Sequence, residues 1–234
     1  MLNVENESKR LYLQIAGKLA ELVEQGEVAV GQRFPAEREL AARYQVSRST
    51  IREAMIALEV SKLVEIRSGS GIYALAPSKG LESLQLTDDL PGPFEIIETR
   101  QIIEVEAAGL AAERISNAEL HQLKNLLLTM EEATKNGDVA KAEQIDHLFH
   151  LTIVKATRNN ALIPMYEWLW SARETSAVNK QFHHKLRDKV ADAVISEHKA
   201  MVDALMQRDA EKAKAVTQIH LKAVEKRLAT SSFV

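Results

Sequence analysis

Asp146, His150, His198 and His220 are the residues whose types and placement could do chemistry. Asp146 and His150 lie four positions apart, about 40° around a helix axis, so both can address one point. They share a side with Ala142, Phe149 and Ile153. His198 falls inside the apolar stripe Val190, Val194, Met201 and Leu205, and His220 inside the stripe Ala213, Val216, Ala223 and Val224. Each stretch thus places a polar ligand atom where an apolar residue would pack, and such groups are costly to bury unless they find partners. One inward histidine is more often a hydrogen-bonded core residue. Three histidines with an aspartate, all on core-facing stripes, point to a shared cation. One carboxylate and three imidazoles suit zinc first, and also admit nickel, manganese or iron(II). His121, His147, His183 and His184 lie off these stripes or in polar stretches and are assigned no role.

Arg100 is a second candidate. It shares the face of Ile96, Ile97, Ile103, Ala107 and Ala111, and a core-facing guanidinium needs a partner. Glu104, one turn on, offers a local ion pair. The alternative is a clamp for the carboxylate of a ligand, which arginine grips with two parallel hydrogen bonds.

These residues require helices to position them. Helical periodicity predicts segments over roughly 94–114, 116–135, 138–157, 161–176, 187–208 and 209–229. Ser116 followed by Glu119 is a capping box, and Asp138 and Asp209 are candidate N-caps. Successive amphipathic helices with short connections predict an antiparallel bundle over 94–234. The stretch 75–94 holds three of the five prolines and little periodicity, so residues 77–93 read as a linker.

Residues 1–76 form a different unit. Leu11, Ile15, Leu19 and Leu22 recur at helical spacing, "PAERELAARY" (35–44) reads as a second helix, and Ser47 can cap a third whose buried stripe is Ile51, Ala54, Met55 and Leu58. "LVEIR" (63–67), "SGSG" (68–71) and "IYAL" (72–75) read as a hairpin. Three helices and a two-stranded wing predict a winged helix-turn-helix, and the fold class is mainly α.

Composition narrows the function. The chain has 234 residues, is 46% hydrophobic and 27% charged, and carries a net charge of −3. That balance argues against polyanion binding by the whole chain, so nucleic-acid contact must come from a local patch. Such a patch exists: positions 33–52 hold five arginines against two glutamates, although residues 1–76 balance ten basic against ten acidic side chains. No cysteine is present, which removes disulfides and thiolate metal sites. No apolar run approaches a membrane span, and the first twenty residues lack a secretory signal, so a cytoplasmic protein is expected.

"SRSTIREAM" (47–55) opens the third helix with hydroxyls and arginines, where free N–H groups and a partial positive charge favour a phosphate. Arg48 is best placed to pair with guanine in a major groove, while Ser47, Ser49, Thr50 and Arg52 fix phosphates. Gly69 in the wing would let the backbone approach the duplex closely.

The segment "GQRFPAERELAARYQVSRSTIREAMIALEVSKLVEIRSGSGIYAL" (31–75) resembles the winged-helix domain of the GntR family of bacterial transcription regulators. The resemblance implies DNA contacts from Arg38, Ser47, Arg48, Ser49, Thr50, Arg52 and Gly69. Serine stands at 47 and 49 where the family often has threonine, which keeps the hydroxyl and loses a methyl. Asp146, His150, His198 and His220, at intervals of 4, 48 and 22, resemble the metal ligands of the FCD ligand-binding domain in the FadR-type subfamily. There the metal helps hold a small carboxylate effector, and Arg100 matches an arginine that often contacts it. "GPFEIIETRQIIEVEAAGLAA" (92–112) is similar to the corresponding stretch of hexuronate-pathway repressors. Acyl-CoA-sensing members lack the quartet, which argues against a fatty-acyl effector. The implied protein is a homodimeric repressor that reads a palindromic operator and is released by a hexuronate or related sugar acid. The rival reading is an enzyme, a metal-dependent hydrolase or lyase acting on a sugar acid, since a metal with open positions could activate water. No further inward group stands out as a general base, so a non-enzyme is expected.

Overall fold

The computed structural model describes residues 11–67, 69–76, 90–186 and 191–230. Within them the order is α1 (Leu11–Glu24), α2 (Glu37–Tyr44), α3 (Arg48–Val60), β1 (Val64–Arg67), β2 (Gly71–Ala74), α4 (Pro93–Arg114), α5 (Asn117–Lys135), α6 (Val139–Ala156), α7 (Leu162–Thr175), α8 (Ala177–Leu186), α9 (Ala191–Met206) and α10 (Ala210–Thr230). The chain is mainly helical, and its contacts divide it into two compact units. The first is built largely on residues before Phe94 and also takes Ser176–Phe182; the second holds Phe94–Thr175 and His183–Leu228. Most of the expected linker, residues 77–89, lies outside the described residues.

In the first unit α1, α2 and α3 pack on one core formed by Ile15, Leu19, Leu40, Ile51, Met55 and Leu58, all within 2% of full burial. Leu11 departs from the expected stripe: it is exposed, and Tyr12 takes the buried position. Gln45 ends α2 in the left-handed conformation, with its N–H returned to the carbonyls of Ala41 and Ala42. The chain then reaches Ser47, whose Oγ accepts the Thr50 N–H at 3.0 Å and starts α3. β1 and β2 pair antiparallel, with Val64 opposite Ala74 and Arg67 opposite Gly71. Gly69 takes φ +73° in the turn between them, a conformation that costs glycine little.

The expected helices leave 177–186 unassigned, yet α8 occupies that stretch. Its inward side is partly polar: Asn179 is fully buried and donates through Nδ2 to the Pro91 carbonyl at 3.0 Å. Gln181 donates to Glu59 of α3 at 3.2 Å.

The second unit is a bundle whose main core joins Ala108, Ala111, Ile115, Leu123, Met130, Phe149, Ile153, Met201 and Leu205. All three anticipated caps form. The Ser116–Glu119 capping box is complete. Asp138 accepts from the Lys141 N–H at 3.1 Å, and Asp209 from the Lys212 N–H at 2.9 Å. No helix among the described residues is long and apolar enough to cross a membrane.

Candidate metal centre and nucleic-acid interface

The second unit brings the predicted quartet together. His150 on α6, His198 on α9 and His220 on α10 are buried, at 2%, 0% and 3% exposure. One ring nitrogen from each lies within 4.8 Å of the others. Asp146 Oδ1 stands 3.0 Å from His198 Nε2 and 3.7 Å from His150 Nε2. The rings of His198 and Phe149 meet edge to face at 4.8 Å, which closes the centre on one side with apolar surface.

The outer nitrogens explain why the inner ones converge. Each Nδ1 has an acceptor. For His150 it is Glu104 Oε2 at 2.8 Å, for His198 the Val194 carbonyl at 2.7 Å, and for His220 Glu197 Oε2 at 2.8 Å. In the tautomer with the proton on Nδ1, Nε2 presents a lone pair toward the centre, the form metal-binding histidines need. Burial pushes the His220 pKa down to about 3, which keeps the imidazole neutral. Burial opposes ionisation of Asp146, but the His198 hydrogen bond and neighbouring charges win and hold its carboxyl well below the usual range. Neutral imidazoles and an ionised carboxylate are the forms that ligate. The donor set and its spacing therefore fit a divalent transition metal.

Arg100 is buried and ion-paired with Glu104, to which it donates from Nε and, at 3.3 Å, from Nη2. Burial alone would raise the Glu104 pKa, but Arg100 and His150 outweigh it and hold it at about 2. The local ion pair foreseen for Arg100 thus exists, and Glu104 extends it to a histidine of the centre. Glu104, His150, Ile153, Val154, Met201 and Thr217 meet around a gap too tight for a water molecule. Thr217 Oγ1 is buried and has no hydrogen-bond partner among the described residues.

Sequence reasoning missed Glu197, Arg227 and Thr217. Arg227 donates to both oxygens of Glu197, each at 2.8 Å. Thirty residues separate that pair, and no local spacing rule reveals it. His147, given no role, stacks between Tyr166 and Trp170 at centroid distances of 5.6 and 4.4 Å.

The predicted DNA contacts gather on the helix-turn-helix of the first unit. Ser47, Arg48 and Arg38 are exposed, while Ser49 and Thr50 are half-buried. Ser47 Oγ lies 2.6 Å from Ser49 Oγ and 2.8 Å from Thr50 Oγ1, so the three hydroxyls form one cluster at the start of α3. Arg52 behaves differently. It is 8% exposed and donates from Nε at 2.9 Å to Glu37 of α2. Gly69 is exposed at the wing turn, and in the wing the Arg67 guanidinium sits 4.3 Å over the Tyr73 ring.

Comparison with known proteins agrees with both units. The profile of the bacterial regulatory proteins, gntR family, matches residues 11–74, and that of the FCD domain matches residues 95–223. The Uxu operon regulator of Haemophilus influenzae is 34% identical over 97% of this chain and 85% of its own length. The Exu regulon transcriptional regulator of Escherichia coli is 33% identical over 92% of this chain and 83% of its own. Among solved structures, Escherichia coli McbR/YncC shares the fold, with a TM-score of 0.52 and 22% identity over 94% of this chain and 97% of its own. The gntR profile on the first unit, the FCD profile on the second and relatives at 33–34% identity leave one conclusion: the chain is a DNA-binding transcriptional regulator of the GntR family, of the FadR type and related to the hexuronate operon regulators.

Proposed function

We propose that this regulator is a homodimeric, cytoplasmic repressor whose helical unit senses a small sugar acid, a hexuronate or close relative, at a divalent metal held by Asp146, His150, His198 and His220. The observation that carries the reading is the mutual approach of three buried histidine nitrogens within 4.8 Å, beside an aspartate oxygen. The names of the Uxu and Exu regulators support the effector class. Bound there, a divalent metal, zinc first, supplies open coordination positions for the carboxylate and hydroxyl oxygens of the effector.

The chain's own residues do the rest. Arg100 offers its guanidinium to the effector carboxylate in exchange for part of its contact with Glu104. Thr217, whose buried hydroxyl has no hydrogen-bond partner among the described residues, stands beside His150 and Glu104. On the operator, Arg48 reaches a base edge, Ser47, Ser49, Thr50 and Arg52 hold the phosphates, Arg38 is a further contact, and Gly69 brings the wing close. Two subunits read the two halves of a palindrome. Release follows if the effector binds the operator-incompetent arrangement more tightly than the competent one.

The test is a thermal-shift screen of the metal-loaded protein against hexuronates, hydroxy acids and acyl-CoAs, followed by fluorescence anisotropy on operator DNA. A hexuronate should raise the melting temperature and weaken operator binding. In His198→Ala the operator should still bind and the effector should no longer release it. Normal release from that variant would sink the metal-centred reading. Recovery of the sugar acid unchanged distinguishes a sensor from an enzyme.

A further inference from the structure

The three histidines of the centre are oriented by two kinds of acceptor, a backbone carbonyl and two carboxylates, and each carboxylate is itself held by an arginine. His198 uses a carbonyl of its own helix, which helix geometry alone supplies. His150 uses Glu104, which shares its charge with Arg100. His220 uses Glu197, which stands on another helix, α9, next in sequence to His198. Glu197 is held by both terminal nitrogens of Arg227, one oxygen to each at 2.8 Å, and Arg227 lies seven residues after His220 on α10. Seven residues are about two helical turns, so His220 and Arg227 project from one side of α10 and close on the same carboxylate. A bidentate guanidinium leaves a carboxylate little freedom to rotate, and the oxygen facing His220 is thereby aimed.

We propose that Glu197, fixed by Arg227, is the positioning residue that keeps His220 as its Nδ1–H tautomer and turns Nε2 toward Asp146, His150 and His198. A neutral histidine in water prefers the other tautomer, with the proton on Nε2, which would point a donor rather than a lone pair at the centre. The inference rests on the metal-binding reading for its purpose, but the tautomer itself is a property of the metal-free chain.

The experiment uses the full-length protein labelled with ¹⁵N-histidine. Long-range ¹H–¹⁵N spectra of the metal-free protein near pH 8 report the His220 tautomer, with His220→Gln used to assign its signals. Competition against a chromophoric chelator gives zinc affinity, and cobalt(II) d–d absorption reports the ligand field. Glu197→Ala should move His220 toward the Nε2–H form, lower metal affinity about 10- to 100-fold and alter the cobalt spectrum. Glu197→Gln keeps an amide oxygen that can accept from Nδ1–H, and should preserve the tautomer and most of the affinity. Arg227→Gln leaves the carboxylate in place but loosened, a milder variant should Glu197→Ala not fold; it should give a smaller affinity loss and a mixed tautomer. If Glu197→Ala, or in its place Arg227→Gln, lowers only the melting temperature and leaves tautomer, affinity and spectrum as in the parent, the carboxylate merely ties α9 to α10 and the proposal is overturned. If the parent takes up neither zinc nor cobalt, the metal reading fails, while the metal-free tautomer measurement still decides the role of Glu197.

Discussion

Arg48 and Arg52 stand one turn apart on α3, and Glu37 treats them differently. Arg52 is buried and bonded to it, with Nη2 at 2.8 Å. Arg48 approaches it only to 3.6 Å and keeps a side chain 58% exposed. Arg48 is therefore free to swing to a base edge. Arg48→Ala should cost roughly 1–3 kcal/mol of operator affinity and blur preference at one base pair, as read by anisotropy on a set of substituted operators. An unaltered base preference would remove Arg48 from direct readout. Arg52→Ala should weaken operator binding and also lower the stability of the first unit, because it leaves Glu37 half-buried without its closest cation. Charge and type were legible at these positions, but the sequence has no means of showing which arginine Glu37 detains. The same limit hid Glu197 and Arg227. Asp146, His150, His198 and His220 were legible because polar residues interrupt apolar stripes. Two of the groups that orient them, Glu104 and Glu197, lie on other helices than the histidines they hold, and their spacing carries no period.

At the scale of elements, helix starts were the most legible feature. Ser47, Ser116, Asp138 and Asp209 all cap the helices they were expected to cap. A short oxygen placed just before an apolar period is a local signal, and local signals survive folding. Ser47→Ala should therefore destabilise the first unit by about 1 kcal/mol in urea unfolding, while Ser47→Thr should keep that stability. Equal stability of Ser47→Ala and parent would mean the hydroxyl serves DNA alone. α8 was not legible, for a physical reason. Its sequence, AVNKQFHHKL, has no sustained apolar stripe, and Asn179 and Gln181 make side-chain hydrogen bonds within the first unit. A helix that docks through amides escapes a reading based on hydrophobic periodicity.

For the whole molecule, acidity should act through the centre. His220 on α10 faces Glu197 and His198 of α9, Asp146 and His150 of α6, and Arg227 of its own helix. Its folded pKa of about 3 lies below the ordinary 6.5. Between those values the unfolded chain binds the proton and the folded one does not, so stability without metal falls as pH drops from about 6.5 toward 3. Glu104 and Glu197, held at about 2 against an ordinary 4.5, add a loss in the same direction below 4.5. The melting temperature of the metal-free protein should thus decline from pH 6.5 downward, and His220→Gln should flatten the part above 4.5. Parallel curves would locate that acid sensitivity elsewhere. The mainly helical fold class was legible at this scale because helical periodicity runs through most of the chain.

Glu104 has a consequence that reaches beyond stability. It serves Arg100 with one hand and His150 with the other. Under the proposed function, an anion that draws Arg100 away leaves Glu104 to His150 alone and makes that imidazole a stronger ligand, and a cation drawn to His150 redistributes the charge felt by Arg100. Linkage makes that traffic reciprocal: nutrient and ion each change the other's affinity by the same factor. A cell short of the ion then registers as one short of the nutrient, and a single gene switch answers to both scarcities.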